Sequence, residues 1–567
     1  MEKRNQTLSG IETRVFDLVV VGAGIVGAGI ALDAASRGLS VLILDKGDFG
    51  SGTSGKTTKL IHGGLRYVEQ YEFALCRELC NERSLLSHLA PHQVKDQSFI
   101  MPLMADSFMF NLKANIGLTI YDLIASNWSH RHRKIKAKEV FEAAPVITSN
   151  SVVSGLRFYD CICDDTRFVL EVIKAANRFN AVALNYMEVM DCKNEDENIS
   201  KITVKDRCKS QLYNIQAYSV INASGVWSDQ NLKNMDPAWE NHVIPAKGTH
   251  IVLPQSAIDV NVALLLPSSD GRFVFVIPWQ RSIIVGTTDI SYDGPLDNPK
   301  GTAAEIEFLI NEVNRYFENK KIALTDIRAV WSGLRPLVDD VKKSNSNSDT
   351  KSVSRKHIII DSPNDTITVI GGKLTNYRII ASEVIDYLLK KKNILRPKIE
   401  KSVTHNIMLG GFTDKTDFLN SSASISARAR KLGIEPATIE HLLSSYGKEA
   451  HNILDLIEAQ SEFNKRICPD FPPIYAEIPY NIKNEMAISL QDIMYRRNRL
   501  AMVNQIQSYE AATNVARLMQ NLIGWDDNRY KHEIAAFQNS LEENMEAVIA
   551  NFPNLIHEND LNNEEKV

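Results

Sequence analysis

Six residues near the start, Gly22-Ala23-Gly24-Ile25-Val26-Gly27, carry the spacing G-x-G-x-x-G. The first glycine permits a tight turn and the second lets a pyrophosphate come up to backbone N–H groups. The third, continued by Gly29, lets a helix pack closely on a sheet. Asp45 follows eighteen residues after Gly27, where a carboxylate can accept hydrogen bonds from ribose hydroxyls. Together they describe a dinucleotide site, either flavin or nicotinamide. Two further turns suit a nucleotide lying across them, Ala223-Ser224-Gly225-Val226-Trp227 and Gly371-Gly372-Lys373, the latter ahead of a helical stretch. Free N–H groups and the positive end of a helix there would stabilise an anionic reduced isoalloxazine ring. A plain structural β-α turn is the alternative for that segment.

These residues need elements to hold them. Residues 17–21 (DLVVV) form a β-branched run, 25–37 an alanine-rich helix ending at Gly38, and 41–44 a second apolar run that stops at Asp45. This is a β-α-β unit with parallel strands, so the fold class is α/β. Further β-branched runs at 219–222, 274–277, 282–285, 357–360 and 366–370 predict domains assembled from discontinuous pieces. Beyond residue 395 the periodicity is helical, as at 435–445 and 483–505, and the segment 388–401 with Pro397 is the expected join. Residues 344–352 (SNSNSDTKS) read as a surface loop and 557–567 as a solvated tail.

With 567 residues, 44% hydrophobic and 23% charged, the chain is globular rather than disordered and long enough for two or three packed units. Lys plus Arg number 64 and Asp plus Glu 69, a formal charge of −5, which excludes a whole-chain basic field for nucleic acid. Seven cysteines suit a reducing compartment, and nothing completes the Cys161-x-Cys163 pair into a metal set. The polar opening residues, and the lack of an uninterrupted apolar run of about 18 residues, predict a cytoplasmic protein whose membrane contact is peripheral at most.

The string Lys59-Leu60-Ile61-His62-Gly63-Gly64-Leu65-Arg66-Tyr67 resembles the FAD-dependent glycerol-3-phosphate dehydrogenases of the aerobic, respiratory type and the related glycerol-3-phosphate oxidases. The likeness continues at 225–229 (GVWSD), 247–252 (KGTHIV), 270–279 (DGRFVFVIPW), 286–289 (GTTD), 333–337 (GLRPL), 354–357 (SRKH) and 371–378 (GGKLTNYR). It extends to 485–487 (EMA) and 492–500 (DIMYRRNRL), so it is nearly end to end. Departures are small: Ser224 and Val226 stand where Thr and Pro are expected, and Asn376 where a second Thr is usual. The resemblance implies a glutathione-reductase/amine-oxidase-like FAD-binding Rossmann domain (1–98, 150–240 and 325–395), an inserted β-sheet substrate domain (99–149 and 241–324) and an all-α C-terminal domain (400–556). It implies FAD contacts at Gly22, Gly24, Gly27, Asp45, Thr53, Ser54, Gly225, Gly372 and Thr375.

The activity so implied is oxidation of sn-glycerol 3-phosphate to dihydroxyacetone phosphate with hydride transfer to flavin. A dianionic substrate needs cations, and Arg66, Arg335 and Arg355 occupy motifs where the resemblance places substrate contacts; guanidinium forks match phosphate oxygens. His62, four residues before Arg66, is the expected general base. Lys373 is expected to bind the carbon-2 oxygen, hold it as an alkoxide or touch the flavin. Tyr67 is expected to line the pocket, and Thr287-Thr288-Asp289 to support it through hydrogen bonds. Electrons would pass to membrane quinone, or in the oxidase alternative to oxygen with release of hydrogen peroxide. Only 373 − 335 = 38 positions separate Arg335 from Lys373, whereas the longer oxidases carry an insertion there, which favours the dehydrogenase. The apolar stretch 99–128 and five basic residues between 131 and 138 predict contact, within 99–138, with an anionic membrane surface at the cytoplasmic face. A core helix with a solvated charged end is the alternative, and a homodimer is an assembly the reading leaves open.

Overall fold

The computed structural model describes residues 2–125, 131–149, 151–195, 199–338, 357–392, 397–398 and 400–552. Arg355, the loop 344–352 and the tail 557–567 lie outside the described residues.

The β-branched runs Leu18–Val21 and Val41–Leu44 are wholly buried, as strands covered on both faces must be, and they pair in parallel. They lie inside a six-stranded sheet in the order Ile358–Ser362, Thr366–Ile370, Val220–Asn222, Leu18–Val21, Val41–Leu44, Val182–Leu184. Every neighbouring pair is parallel except the first. The connection from Leu18–Val21 runs to one neighbour while Val220–Asn222 lies on the other side. A crevice therefore opens beyond their carboxyl ends, where Gly22 and Ala223 stand. Helix Ile25–Ser36 packs between helices Asp165–Arg178 and Tyr377–Lys391. Its alanines and glycines permit this: a Cβ on Gly29 would come 2.6 Å from the Tyr377 ring.

A mixed ten-stranded sheet forms the second layer. Val152–Ile162 and Ala329–Val338 fall in segments expected for the cofactor domain, yet they belong to this sheet. The cause is long antiparallel pairing: Ala329–Val338 runs beside Val243–Pro254 along its whole length, with Arg335 opposite Ala246. Residues 99–104, expected within the membrane-facing stretch, form the interior of strand Lys95–Met104, where Phe99, Ile100 and Met101 are buried in the core. Helix Phe108–Ala125 follows.

From residue 404 onwards the regular elements described are helical. The helical periodicity at 483–505 is divided among Glu477–Asn484, a wide turn at Asp492–Arg497, and Leu500–Val503, before Gln505–Ile523 begins. Charged side chains force the breaks. Glu485 pairs with Arg167 (2.6 Å), Arg497 with Asp48 (2.6 Å) and Arg499 with Asp165 (2.9 Å), all buried. A straight helix would spread these groups around its surface; with Arg499 in the left-handed region (φ 65°) they all turn inward onto the cofactor-binding half. Burial would raise the Asp48 carboxyl, but Arg497 and Arg496 bring it down to about 2. Among the described residues no helix is long and apolar enough to cross a membrane.

Candidate active site

Gly22 leaves its strand with φ 104°, and a Cβ there would sit 2.6 Å from the Ala223 carbonyl oxygen. A Cβ on Gly27 would overlap the Gly22 carbonyl. Only glycine lets the two strand ends and the helix meet so closely. Gly24 caps the helix in an extended conformation, and Ser54 Oγ accepts the Ile25 N–H (2.9 Å). Asp45 accepts from the Ala23 N–H (2.7 Å) and the Gly47 N–H (2.8 Å), which fixes the glycine loop, and burial raises its pKa. Each carboxylate oxygen keeps a second lone pair for a ribose hydroxyl. A cleft of about 300 Å³ runs from Asp45 past Gly24, Ser54 and Gly225 to Gly372 and Lys373. Gly371 and Gly372 (φ 86° and 97°) turn the chain away from it. Thr53 Oγ1 donates to the Leu334 carbonyl (2.6 Å), tying the cofactor loop to the strand that bears Arg335. A backbone cradle that tolerates no Cβ, an acid at the second strand end and a long cleft together fit a dinucleotide such as FAD.

A second cavity of about 240 Å³ shares Thr53, Leu334, Gly372 and Lys373 with that cleft and is lined also by His62, Tyr67, Arg335 and Thr375. Arg335 reaches Asp289 Oδ1 (3.0 Å) and donates to Thr287 Oγ1 (3.2 Å), while Arg66 Nη1 stands 3.7 Å from the other Asp289 oxygen. One carboxylate therefore holds two guanidinium groups side by side, both still partly open to solvent. The Lys373 ammonium contacts the Tyr67 hydroxyl and lies 3.6 Å from the centre of its ring. Burial, and then the charge of Arg66, pushes the Lys373 pKa from 10.5 down to about 7. Lys373 stands in the turn before helix Tyr377–Lys391, with its N–H held by Asn376 Oδ1 (3.2 Å).

His62 is placed by its backbone: its N–H donates to Thr375 Oγ1 (3.2 Å), which donates back to the His62 carbonyl (3.3 Å). Its Nδ1 accepts the Gly64 N–H (3.1 Å), because left-handed Gly64 (φ 73°) turns that N–H back on the ring. A neutral ring so held carries its proton on Nε2 and presents a donor there, not the acceptor a general base needs.

The structure thus brings His62, Tyr67, Arg335, Lys373 and Thr375 to one cavity, with Arg66 joined to Arg335 through Asp289, and Gly22, Gly24, Asp45, Thr53, Ser54, Gly225 and Gly372 to the adjoining cleft, where Gly27 packs against the Gly22 carbonyl rather than lining it. Lys56 and His250 line the substrate-side cavity as well, and sequence reasoning missed both. His250 bonds Thr58 through Nε2 (3.0 Å) and stacks on Trp331, and burial, then Lys59 and Arg335, lower its pKa well below 6.5. It stands in mid-strand within 247–252, a stretch that carries the likeness, but its side-chain partners Thr58 and Trp331 lie far along the chain, so the local pattern gives it no role.

Residues 17–359 match the family described as FAD dependent oxidoreductase, and residues 402–530 the C-terminal domain of alpha-glycerophosphate oxidase. The aerobic glycerol-3-phosphate dehydrogenase of Bacillus subtilis is 31% identical over 544 residues, covering 94% of this chain and 95% of that one. The mitochondrial glycerol-3-phosphate dehydrogenase of Bos taurus is 33% identical over 550 residues, 93% of this chain and 73% of the relative. Among solved structures, the glycerol-3-phosphate dehydrogenase from Bacillus halodurans complexed with FAD superposes with a TM-score of 0.77 at 26% identity, over 96% of this chain and 97% of that one. The L-alpha-glycerophosphate oxidase of Mycoplasma pneumoniae, at 16% identity and a TM-score of 0.53, shares the fold over 66% of this chain and 95% of its own. Likeness of this extent, on a fold whose cleft is built for the dinucleotide, leaves one assignment: the chain belongs to the FAD-dependent glycerol-3-phosphate dehydrogenase family.

Proposed function

We propose that this protein oxidises sn-glycerol 3-phosphate to dihydroxyacetone phosphate and delivers the electrons to quinone at a membrane surface. The observation that carries the reading is a cavity that shares a wall with the dinucleotide cleft and is lined by Arg335 and Lys373, with Arg66 paired beside Arg335 on Asp289. The two guanidinium groups grip the phosphate, because paired forks match its oxygens and Asp289 keeps them from repelling each other. FAD, when bound, supplies the acceptor for the hydride that leaves carbon 2. Lys373, neutral in part near pH 7, takes the carbon-2 hydroxyl proton at Nζ as the C–H electron pair departs and the C=O bond forms. His62, which lines the cavity and carries its ring proton on Nε2, donates to the oxygen as charge develops on it. Tyr67 holds the Lys373 amine in place.

Quinone as acceptor rests on helix Phe108–Ala125. Met109 (62% exposed), Leu112 (46%), Ile116 (49%) and Leu123 (64%) recur at helical spacing, so they form one apolar stripe. Exposed Arg131, Arg133, Lys134, Lys136 and Lys138 follow in sequence. An apolar stripe with cations beyond it suits the headgroup region of an anionic bilayer, where quinone is within reach. The match of residues 402–530 to an oxidase C-terminal domain favours a second reading, oxygen as acceptor with release of hydrogen peroxide. Anaerobic mixing of FAD-loaded protein with sn-glycerol 3-phosphate tests the first step: the visible flavin absorption should bleach. Adding a quinone analogue or oxygen then separates the acceptors by which restores the colour faster. Absence of bleaching refutes the substrate.

A further inference from the structure

Beneath the loop that carries His62 lies a buried polar cluster outside the cavity. Tyr121, on helix Phe108–Ala125, accepts the Gly63 N–H (3.0 Å) and an Arg83 N–H (3.0 Å), and its own hydroxyl donates to Asp160 Oδ1 (2.8 Å). All three hydrogen-bonding positions of the phenol oxygen are thereby used. Arg83 also bonds Asp160 and the Tyr159 carbonyl, and the Gly63 N–H has a second, longer contact to Asp160 Oδ1 (3.3 Å). Tyr121, Arg83 and Asp160 are each buried, so every bond in the group is made away from water. Burial, and then the Asp160 charge, raises the Tyr121 pKa well above 10, which keeps the donor proton in place.

The cluster holds the backbone from below and the cavity residues hold it from above. A Cβ on Gly63 would overlap Cys80 Sγ and the Tyr121 hydroxyl, and one on Gly64 would overlap the Tyr67 ring. Gly64 in turn gives its N–H to His62 Nδ1 and opens helix Leu65–Glu69, which carries Arg66 and Tyr67. The direction of one amide at Gly63 therefore bears on His62 and Tyr67 in the cavity and on Arg66 beside Asp289. At about 100° per residue, Tyr121 projects from the side of its helix opposite the stripe containing Leu112 and Ile116.

We propose that Tyr121 is a positioning residue for the oxidation: its hydroxyl orients the Gly63 amide and so holds His62, Arg66 and Tyr67 at the substrate. This rests on the glycerol 3-phosphate reading above.

The test uses full-length, FAD-loaded protein, reduced anaerobically by sn-glycerol 3-phosphate, comparing wild type, Tyr121→Phe and Leu118→Ala. Leu118 is a fully buried neighbour on the same helix and outside the cluster. Tyr121→Phe removes one oxygen and leaves the ring. Its half-saturating substrate concentration should rise about five- to tenfold, the worth of one hydrogen bond, with a smaller fall in the limiting rate. Reduction by dithionite and the flavin spectrum should be unchanged, because the cleft is not touched. Leu118→Ala should lower the melting temperature and leave half-saturation alone. If Tyr121→Phe binds and reduces like wild type, or Leu118→Ala shifts half-saturation as much, the proposal is overturned. A wild type that glycerol 3-phosphate does not bleach overturns the substrate reading instead, and the two failures are distinct. Should Tyr121→Phe not fold, Tyr121→Met, which also removes the hydroxyl and fills the space with a flexible apolar chain, is read in the same assay. Faster amide exchange confined to residues 62–69 supports the proposal, and unchanged exchange there overturns it.

Discussion

Lys373 offers a prediction that can be worked through from its surroundings. Burial in the wall between the two cavities, and then the positive charge of Arg66, lower its pKa from 10.5 to about 7. A base acts only without its proton, so the limiting rate of flavin reduction should rise with pH through about 7 and level off above it. About one molecule in eleven has a neutral Lys373 at pH 6, half at pH 7 and about ten in eleven at pH 8, a rise of roughly tenfold. Lys373→Arg keeps a cation that does not deprotonate in this range. It should lose the rising limb and about 10²- to 10⁴-fold of the rate. The assay is anaerobic stopped-flow absorbance with saturating sn-glycerol 3-phosphate from pH 5.5 to 9. A limiting rate that is flat from pH 6 to 8 would refute the reasoning, as would a Lys373→Arg variant that keeps the wild-type limb.

Arg335→Ala should weaken substrate binding by about 1.5–3 kcal/mol, roughly ten- to 150-fold, with FAD still bound. Part of that loss comes from Asp289 repelling the dianion once its 3.0 Å partner is gone, so adding Asp289→Asn should recover some affinity. Equal half-saturation for wild type and Arg335→Ala would remove Arg335 from the site. Gly27→Ala should abolish FAD retention on purification, because its Cβ overlaps the Gly22 carbonyl; a flavin absorbance to protein ratio equal to wild type would contradict this. Asp48, held at about 2 against a usual 3.8, contributes stability that is complete above roughly pH 4 and lost as pH falls through about 2. Asp48→Asn, which strips Arg497 of a buried partner, should cost about 3–5 kcal/mol and flatten the acid limb of melting temperature against pH. Leu112→Glu with Ile116→Glu should abolish flotation with anionic vesicles while sparing anaerobic reduction in solution. Unchanged flotation would locate the membrane contact elsewhere.

Local chemistry was legible wherever neighbouring residues carry the whole signal. The glycine spacing, the strand that ends at Asp45 and the run Thr366–Ile370 ahead of Gly371 are each complete within a few residues, and their strands stand where the β-branched runs lie. What resisted reading depends on partners far along the chain. Arg66 and Arg335 meet only because Asp289 lies between them, and Tyr121 reaches Gly63 across 58 positions. The break-up of 483–505 follows from Asp48, Asp165 and Arg167, none of them within 300 residues of it. Residues 99–104 look like a membrane-facing run by composition, and only the pairing of Lys95–Met104 with Val152–Ile162 shows them to be core. His62 lines the cavity, yet the direction of its ring proton comes from a backbone N–H that no side-chain pattern encodes.

The six-stranded sheet draws its strands from segments between Leu18 and Ile370, and that order has a meaning in time. A ribosome makes the Gly22 turn early and the Gly371–Lys373 wall 373 − 22 = 351 residues later. At about 5–20 residues per second, the interval is roughly 20–70 s. For the first 222 − 22 = 200 residues of it, Leu18–Val21 lacks Val220–Asn222 on one side, and the emerging chain exposes an apolar strand edge that invites wrong pairing. The buried arginines at 497 and 499 arrive later still and neutralise carboxylates at 48 and 165 that have waited for them. The cleft is complete only once Gly371–Lys373 has joined Gly22, so cofactor binding follows synthesis of that wall, and the strand edges of the amino-terminal half must be shielded until then.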